Sequence, residues 1–387
     1  MGLPPATTIV FVGLPDGISI GLDTFFLQSG PTLHGIRLVG PGVHTLHWSH
    51  GGPVDSVARH GVFFIGEDES VVSCRWDANS EEMQVERHVC GQCEDVPTLE
   101  ALHRYYEGML EYEQLQQAYG SNTSGGHPRV EELDEHGAAP SDVRFTWSQQ
   151  TAEIMGEDIA RVLPQKSQIG MFSADSMIAT TADARELDAQ LGHESKEKTG
   201  ESFEVLNFAE IDLKTAWRPG AIGMQRTLDY LDRSWCLEKV IGTTAGSMRG
   251  FVAELELAFA IFVLYGNVSC AAQWRRAVTL LVFSETYATG PHSAAYLGVM
   301  EVIERQLRVM PSEYLTEVVG DKYVRGMFGT LVEAVCTGEP PEDRWFSGGP
   351  EGARLRSVVE AIVRLLETRY GLEGVDGGED FSPRDWR

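Results

Sequence analysis

The sequence predicts a multidomain protein of both α and β structure: an N-terminal antiparallel β-sandwich-like domain with one packed helix, followed by a C-terminal all-α domain of stacked helices. Two observations predict this division. Over the first ninety residues, short apolar runs rich in β-branched and aromatic residues alternate with Gly- and Pro-rich turns, which is typical of an antiparallel sandwich. From about residue 203 onward, apolar residues recur every three or four positions, which is the period of a helix.

The N-terminal region contains six predicted strands separated by turn signals such as the Gly-Leu-Pro-Asp-Gly segment at 13–17. Because no helical crossovers separate these strands, a parallel nucleotide-binding sheet is disfavoured. After Pro97 the apolar spacing changes to a helical stripe, which predicts a helix packed on the sandwich. The strands are 8–12, 18–22, 35–39, 43–48, 61–65 and 71–76, and the stripe is Leu99, Leu102, Tyr106, Met109 and Leu110.

Composition along the chain sets the predicted boundaries. The β-rich domain is placed at 1–179 and includes a polar, Gly-rich and acidic insertion at 119–142. A second polar stretch, 180–202, is predicted to be a linker. The helical domain follows at 203–370, and 371–387 is predicted to be an acidic, flexible tail.

The net charge of the chain indicates which classes of binding partner it favours. The chain has 387 residues, 42% of them hydrophobic, and a formal net charge of -26. Phosphate groups would be repelled, so direct binding of nucleic acid or of an anionic membrane is disfavoured, and a basic protein surface is the better match. The most apolar run, 251–268, is too short and too charged to span a bilayer. Six cysteines do not suggest a disulfide scaffold, and the start lacks a basic leader, so an intracellular protein is expected.

Histidines cluster early in the sequence, within and between the predicted strands, and raise the hypothesis of a metal-dependent enzyme of cupin-like architecture. The five residues are His34, His44, His47, His50 and His60. Residues three apart on a strand point to opposite faces, so His44 and His47 should not share one ion. We therefore interpret these histidines as buried structural residues with satisfied ring nitrogens.

Cys90 and Cys93 form a Cys-x-x-Cys motif, which supplies half of a tetrahedral zinc site. The second pair that would close the site is absent, so we interpret the motif as two loop cysteines, with metal binding left open. Neither a phosphate loop with its Lys nor a Gly-x-Ser-x-Gly elbow occurs. The sequence therefore predicts no cofactor and no catalytic residue.

Two carboxylates, Glu254 and Glu256, interrupt an otherwise apolar helical stretch. A charge placed in such a stretch requires a partner. We expect a structural ion pair with Arg275 or Arg276 rather than a catalytic role.

The tail carries two large apolar side chains, Phe381 and Trp386, next to acidic residues such as Asp380. Such a segment is either a dispensable terminus or an anchor for a partner, for example by adding a strand to the partner's sheet. The anchor hypothesis makes these three residues the candidate partner-binding residues. It also predicts that deleting 371–387 weakens binding without lowering thermal stability.

The chain resembles the Aar family, the A1-alpha2-repressin-type splicing factors, in both halves and in the same order. The N-terminal similarity includes a Gly-x-Asp step at Gly21 to Asp23 and a Pro-Gly-Val-His-x-Leu-His-Trp-Ser run from Pro41 to Ser49. The C-terminal similarity lies in 203–212, 231–241 and 252–281.

The resemblance implies a β-rich N-terminal domain, a helical C-terminal domain and no enzymatic activity. It also implies an assembly chaperone, in cytoplasm and nucleus, that binds the largest protein of the U5 snRNP through the RNase H-like domain of that protein. The partner would stay closed to RNA until assembly proceeds, and the free chain would be monomeric. The alternatives are the cupin-like metal enzyme and a helical-domain trafficking adaptor.

Overall fold

A computed structural model describes residues 6–49, 58–89, 95–115, 147–166, 170–191, 204–244, 246–337 and 350–375. These residues contain ten strands in two five-stranded sheets. The strands are β1 (Thr7–Val12), β2 (Ser19–Leu22), β3 (Phe25–Gln28), β4 (Gly35–Val39), β5 (Gly42–Ser49), β6 (His60–Gly66), β7 (Ser70–Asp77), β8 (Glu82–Val89), β9 (Leu110–Glu111) and β10 (Met171–Asp175).

The two sheets differ in strand direction. The second sheet, in the order β10-β6-β5-β2-β3, is antiparallel throughout. The first sheet, in the order β8-β7-β1-β4-β9, is mixed, because β1 lies parallel to β7 and β4 lies parallel to β9. Parallel neighbouring strands need a crossover connection. For β1 and β7 the chain makes this crossover after β4, where it passes through the paired strands β5 and β6 of the other sheet. The N-terminal region is therefore a sandwich, but one of its sheets departs from the antiparallel expectation.

Most of the helices follow the sandwich along the chain, but some lie between its strands. The helices are α1 (Val96–Tyr105), α2 (Trp147–Gln150), α3 (Gly156–Val162), α4 (Thr181–Leu191), α5 (Met224–Leu231), α6 (Ser234–Thr243), α7 (Met248–Tyr265), α8 (Val268–Val282), α9 (Glu285–Thr289), α10 (Ser293–Val309), α11 (Asp321–Val332) and α12 (Pro350–Thr368), with a 3-10 turn at Tyr106–Gly108 and π-helical turns at Tyr314–Gly320 and Glu333–Thr337. Of these, α1 lies between β8 and β9, and α2 and α3 lie between β9 and β10.

Three hydrophobic clusters arrange these elements in layers. Side chains such as Ile9, Leu46 and Phe64 fill the space between the two sheets. On the outer face of the first sheet, Val10 packs with Met109 and is covered by α1. The outer face of the second sheet packs directly on the helices, since Phe63 belongs to the same cluster as the α7 and α8 side chains.

The predicted fold class is confirmed, and some of the detail differs. Helix α1 packs on the sandwich as expected, although Leu99 is exposed. The predicted stripe extends past this helix, since Tyr106 lies in the 3-10 turn and Leu110 in β9. Helix α4 occupies the first part of the predicted linker. The first residues of the predicted tail are folded, because Leu372 and Val375 are buried in the helical core.

Two further predictions from the sequence, the insertion and the domain boundary, stay predictions. The insertion at 119–142 lies outside the described residues, and the domain boundary between 180 and 202 stays a prediction. Within the described part of the chain, every helix is too short or too polar to cross a bilayer.

Candidate protein-binding surface

Two of the N-terminal histidines, His44 and His47, lie in a buried polar network built around Asp23. The Asp23 carboxylate accepts hydrogen bonds from the backbone N–H of Thr45 (2.9 Å), from Tyr112 and from His44 Nδ1 (2.8 Å). The other ring nitrogen of His44 lies 3.1 Å from the carbonyl of Gly40. Both nitrogens therefore face acceptors, which fits the charged imidazolium. Burial alone would lower the pKa of His44, but the charge of Asp23 outweighs it and raises that pKa.

His47 lies on the opposite face of β5 and has a different role. Its Nε2 donates to the carbonyl of Asp23 at 2.9 Å, and its Nδ1 accepts from Arg59 at 2.8 Å, which fits a neutral ring. The ring fills the space in which a side chain at position 21 would start, since a Cβ on Gly21 would lie 1.8 Å from it. Asp23 itself has a positive φ of 54°. Gly21 is therefore required by the packing of His47, and Asp23 by the hydrogen bonds that its carboxylate accepts.

This network is a structural support of the sandwich. His44 and His47 do point to opposite faces, as predicted: His44 packs against Tyr112 and His47 against Tyr265. His34 stacks on Tyr105, His60 pairs with Asp175, and His50 lies outside the described residues. Among the described residues, no three or more acidic, histidine or cysteine side chains come together in a way that could hold a metal ion.

The two carboxylates of α7, Glu254 and Glu256, bind the segments that connect the sheets with the helices. Glu254 pairs with Arg161 and accepts the N–H of Ala209 at 2.8 Å. Glu256 accepts the N–H of Glu153 at 2.9 Å. Burial raises the pKa of both carboxyls, that of Glu256 to about 8. Both are structural, and Glu256 is the more strongly perturbed.

The predicted partners of these carboxylates were wrong. Arg275 lies over the ring of Tyr323, and Arg276 pairs with Asp183 of α4 at 2.9 Å. Both arginines follow α7 closely in sequence, but the partner that Glu254 uses is on the short helix α3, ninety-three positions earlier. Sequence spacing alone contains no signal for that contact.

The candidate tail residues Asp380, Phe381 and Trp386 lie outside the described residues, as do Cys90 and Cys93. Their roles as partner contacts or metal ligands therefore stay predictions. The described surface nevertheless includes an apolar region that the sequence analysis did not single out.

Helix α5 turns its apolar side toward solvent. Met224, Leu228 and Leu231 recur at helical spacing and share one face, and their exposed fractions are 74%, 52% and 59%. Ile222, just before the helix, is 83% exposed. The residue of α5 that is buried is a carboxylate, Asp229. We call the side formed by these four apolar residues the α5 face.

Polar contacts hold α5 in this orientation. Asp229 accepts the N–H of Arg218 at 3.0 Å and the side-chain amide of Gln225 at 2.9 Å, and the Arg218 guanidinium lies 3.4 Å away. The Arg218 hydrogen bond lowers the pKa of Asp229. On the same side of the helix as Asp229, the guanidinium of Arg226 stacks on the Trp217 ring at 3.6 Å. The α5 face is therefore exposed by a specific set of contacts on the opposite side of the helix.

Comparison with known proteins covers both halves of the chain. The AAR2 N-terminal domain matches residues 5–164, and the AAR2 C-terminal repeat region matches residues 208–374. The chain belongs to the AAR2 family. The resemblance drawn from the sequence is therefore confirmed, and α5 lies within the matched C-terminal region.

Individual AAR2 relatives are similar along most of their length. The human protein AAR2 homolog is 23% identical over 351 residues, which cover 85% of this chain and 83% of the human protein. The Saccharomyces cerevisiae A1 cistron-splicing factor AAR2 is 24% identical over 323 residues, covering 79% and 78%. The Caenorhabditis elegans AAR2 homolog is 20% identical over 334 residues, covering 80% and 81%.

Proposed function

We propose that this AAR2-family chain is a non-enzymatic splicing factor that binds the largest protein of the U5 snRNP, through its RNase H-like domain, during assembly of the particle. The observation that carries the proposal is the family match over both halves, together with a yeast relative named as a splicing factor. The alternatives of a cupin-like enzyme and a trafficking adaptor have no comparable support.

The charge of the chain supports a placeholder role. A net charge of -26 repels RNA and attracts a basic, RNA-binding protein surface. A protein with this charge can cover such a surface and be replaced by RNA later. Charge complementarity of this kind raises the association rate and the specificity more than the affinity. We expect the complex to form between one copy of each protein, in the cytoplasm and the nucleus.

Binding of the purified chain to the RNase H-like domain of the U5 protein tests the proposal directly. Isothermal titration calorimetry at low and at high salt should show binding that weakens as the salt concentration rises. Co-purification from cells should then recover U5 proteins rather than vesicle-associated proteins. Absence of binding in calorimetry, with vesicular partners recovered from cells, would refute the proposal.

The tail is proposed as one anchor in this complex, through Asp380, Phe381 and Trp386. Because Leu372 and Val375 are buried, the test must delete only residues 376–387. This truncation should weaken binding in calorimetry and leave the thermal midpoint of the free chain unchanged. Equal affinities of the full and truncated chains would remove the tail from the interface.

A further inference from the structure

A short segment of the chain, residues 147–155, lies between the second sheet and the helical core, and we call it the strap. Its first residue, Trp147, donates the ring N–H to the carbonyl of Val43 on β5 at 2.5 Å. Trp147 and Ile154 are both buried in the same cluster as the α7 side chains. The two ends of the strap are therefore held by apolar packing, whereas part of its middle reaches solvent.

The middle of the strap is held on α7 through the backbone of Glu153. The N–H of this residue donates to one oxygen of the Glu256 carboxyl at 2.9 Å, and its carbonyl accepts from Arg249 at 2.8 Å. An arginine side chain is not deprotonated in proteins. The Glu256 side chain is fully buried, and it is the member of this α7 pair whose charge can change. The contact between α7 and the strap therefore depends on the state of one buried carboxyl.

Within the part of the chain that the structure describes, three buried polar atoms at this contact lack a hydrogen bond. They are Oε1 of Glu256, Oε1 of Gln150 in the strap and Nε of Arg305 on α10. The amide nitrogen of Gln150 lies 3.5 Å from the carbonyl of Arg305, which is at the outer limit of a hydrogen bond. Water would supply hydrogen bonds to these atoms if the strap lifted, so their desolvation favours local opening.

Ionisation of Glu256 is opposed while the strap lies on α7. Burial raises the pKa of its carboxyl from 4.5 to about 8, and the charge of Glu153 acts in the same direction. The N–H of Glu153 and the charge of Arg305 act against burial but do not outweigh it. On α7 itself, the neighbouring carboxylate Glu254 is paired with Arg161. If the strap lifts, water solvates the Glu256 carboxyl and its pKa returns toward 4.5, so a rise in pH favours the open form.

We propose that the strap is a pH-sensitive switch: it stays on α7 while Glu256 is a neutral acid and lifts locally when Glu256 becomes a carboxylate. Lifting hydrates Glu256 and Gln150 and releases the Glu153 amide, while the rest of the fold stays in place. The trigger is the loss of one proton to solvent. Because the switch needs no partner, its test uses the free chain and is independent of the proposed function.

Hydrogen exchange of the intact chain, measured by mass spectrometry on fragments that cover the strap, tests this switch. After correction for the intrinsic pH dependence of exchange, protection of the wild-type strap should fall about 50-fold from pH 6 to pH 8. The variant Glu256→Gln cannot ionise, so protection of its strap should not change over this range. In the matched control Glu153→Gln, the strap loses its own carboxyl but keeps the backbone contact, so a fall of similar size should remain.

Amides of α8 in the same experiment distinguish local opening from global unfolding. They should be more strongly protected than the strap at each pH. Low concentrations of urea should speed their exchange and leave that of the strap unchanged, because a local opening exposes little surface. Equal protection and equal urea sensitivity of strap and α8 amides would show that only global unfolding exposes the strap, and would overturn the switch; this comparison needs the wild type alone. Constant protection of the wild-type strap, or an equal fall in Glu256→Gln, would overturn it as well.

Discussion

Glu256 should give this protein a pH-dependent stability that a single substitution removes. The side chain is fully buried on α7, and burial raises the pKa of its carboxyl from 4.5 to about 8. Between these two values, the folded chain holds a proton that the unfolded chain releases. Stability from this group is therefore fully present at acidic pH and is lost as the pH rises toward 8.

The size of the effect follows from the difference between the two pKa values. Each pH unit within this window costs about 1 to 1.5 kcal/mol. Between pH 6 and pH 8, the wild type should thus lose about 2–3 kcal/mol of its free energy of unfolding through Glu256. The variant Glu256→Gln has the same shape and no proton to lose. The other titrating groups are common to both proteins and cancel in the comparison.

Urea unfolding followed by circular dichroism at pH 6, 7 and 8 measures this difference. At pH 6 the folded wild type keeps this proton while the unfolded chain has already released it, so the variant should be the more stable by about 2 kcal/mol. That difference is the reference for the two higher pH values. From pH 6 to pH 8 the stability advantage of the variant should grow by about 2–3 kcal/mol. Parallel stability curves for the two proteins from pH 6 to pH 8 would refute the assignment of a raised pKa to Glu256.

Three further changes test the packing. Asp23→Asn should lower the free energy of unfolding by about 3–5 kcal/mol below pH 6, because it leaves the buried His44 cation without its counter-charge; urea unfolding measures this loss, and a loss below 1 kcal/mol would contradict the ion pair. Tyr265→Phe should cost about 1–2 kcal/mol in the same assay by removing the 2.6 Å hydrogen bond to a β5 threonine, and unchanged stability would show that bond to be dispensable. Deleting 371–387 should lower the thermal midpoint while deleting 376–387 should not, since only the longer deletion removes two buried apolar side chains; equal midpoints in calorimetric scans would contradict their packing.

Local periodicity was sufficient to predict the secondary structure of most of the chain. The strand period placed β1, β2, β4, β5, β6 and β7 close to their observed bounds. The helical period predicted from residue 203 onward is observed in α7, where Phe251, Leu255, Phe259 and Phe262 are all buried. In these elements the apolar residues coincide with burial: β1 and β5 are buried on both faces, and α7 is buried on nearly all sides.

The remaining features depend on contacts between distant parts of the chain. A helical pattern shows that α5 has an apolar side, but it does not show which side faces the core. That choice is made by Asp229 through its bonds to the segment around Arg218. In the same way, the parallel pairing of β1 with β7 depends on how the β5–β6 hairpin crosses to the other sheet. Tyr112 meets Asp23 across eighty-nine positions, a contact that local spacing does not encode.

The packing of the second sheet on α7 has a practical consequence for dissecting this protein. Phe63 of β6 and Tyr265 of α7 share one interior, and the Tyr265 hydroxyl reaches Thr45 on β5. Expressing either half separately would expose the apolar wall that normally seals the other half. Such fragments should self-associate and bind unrelated proteins. Partner mapping with them would therefore detect non-specific hydrophobic binding instead of the specific contacts of the intact chain. Point substitutions in the intact chain are the sound way to map its contacts.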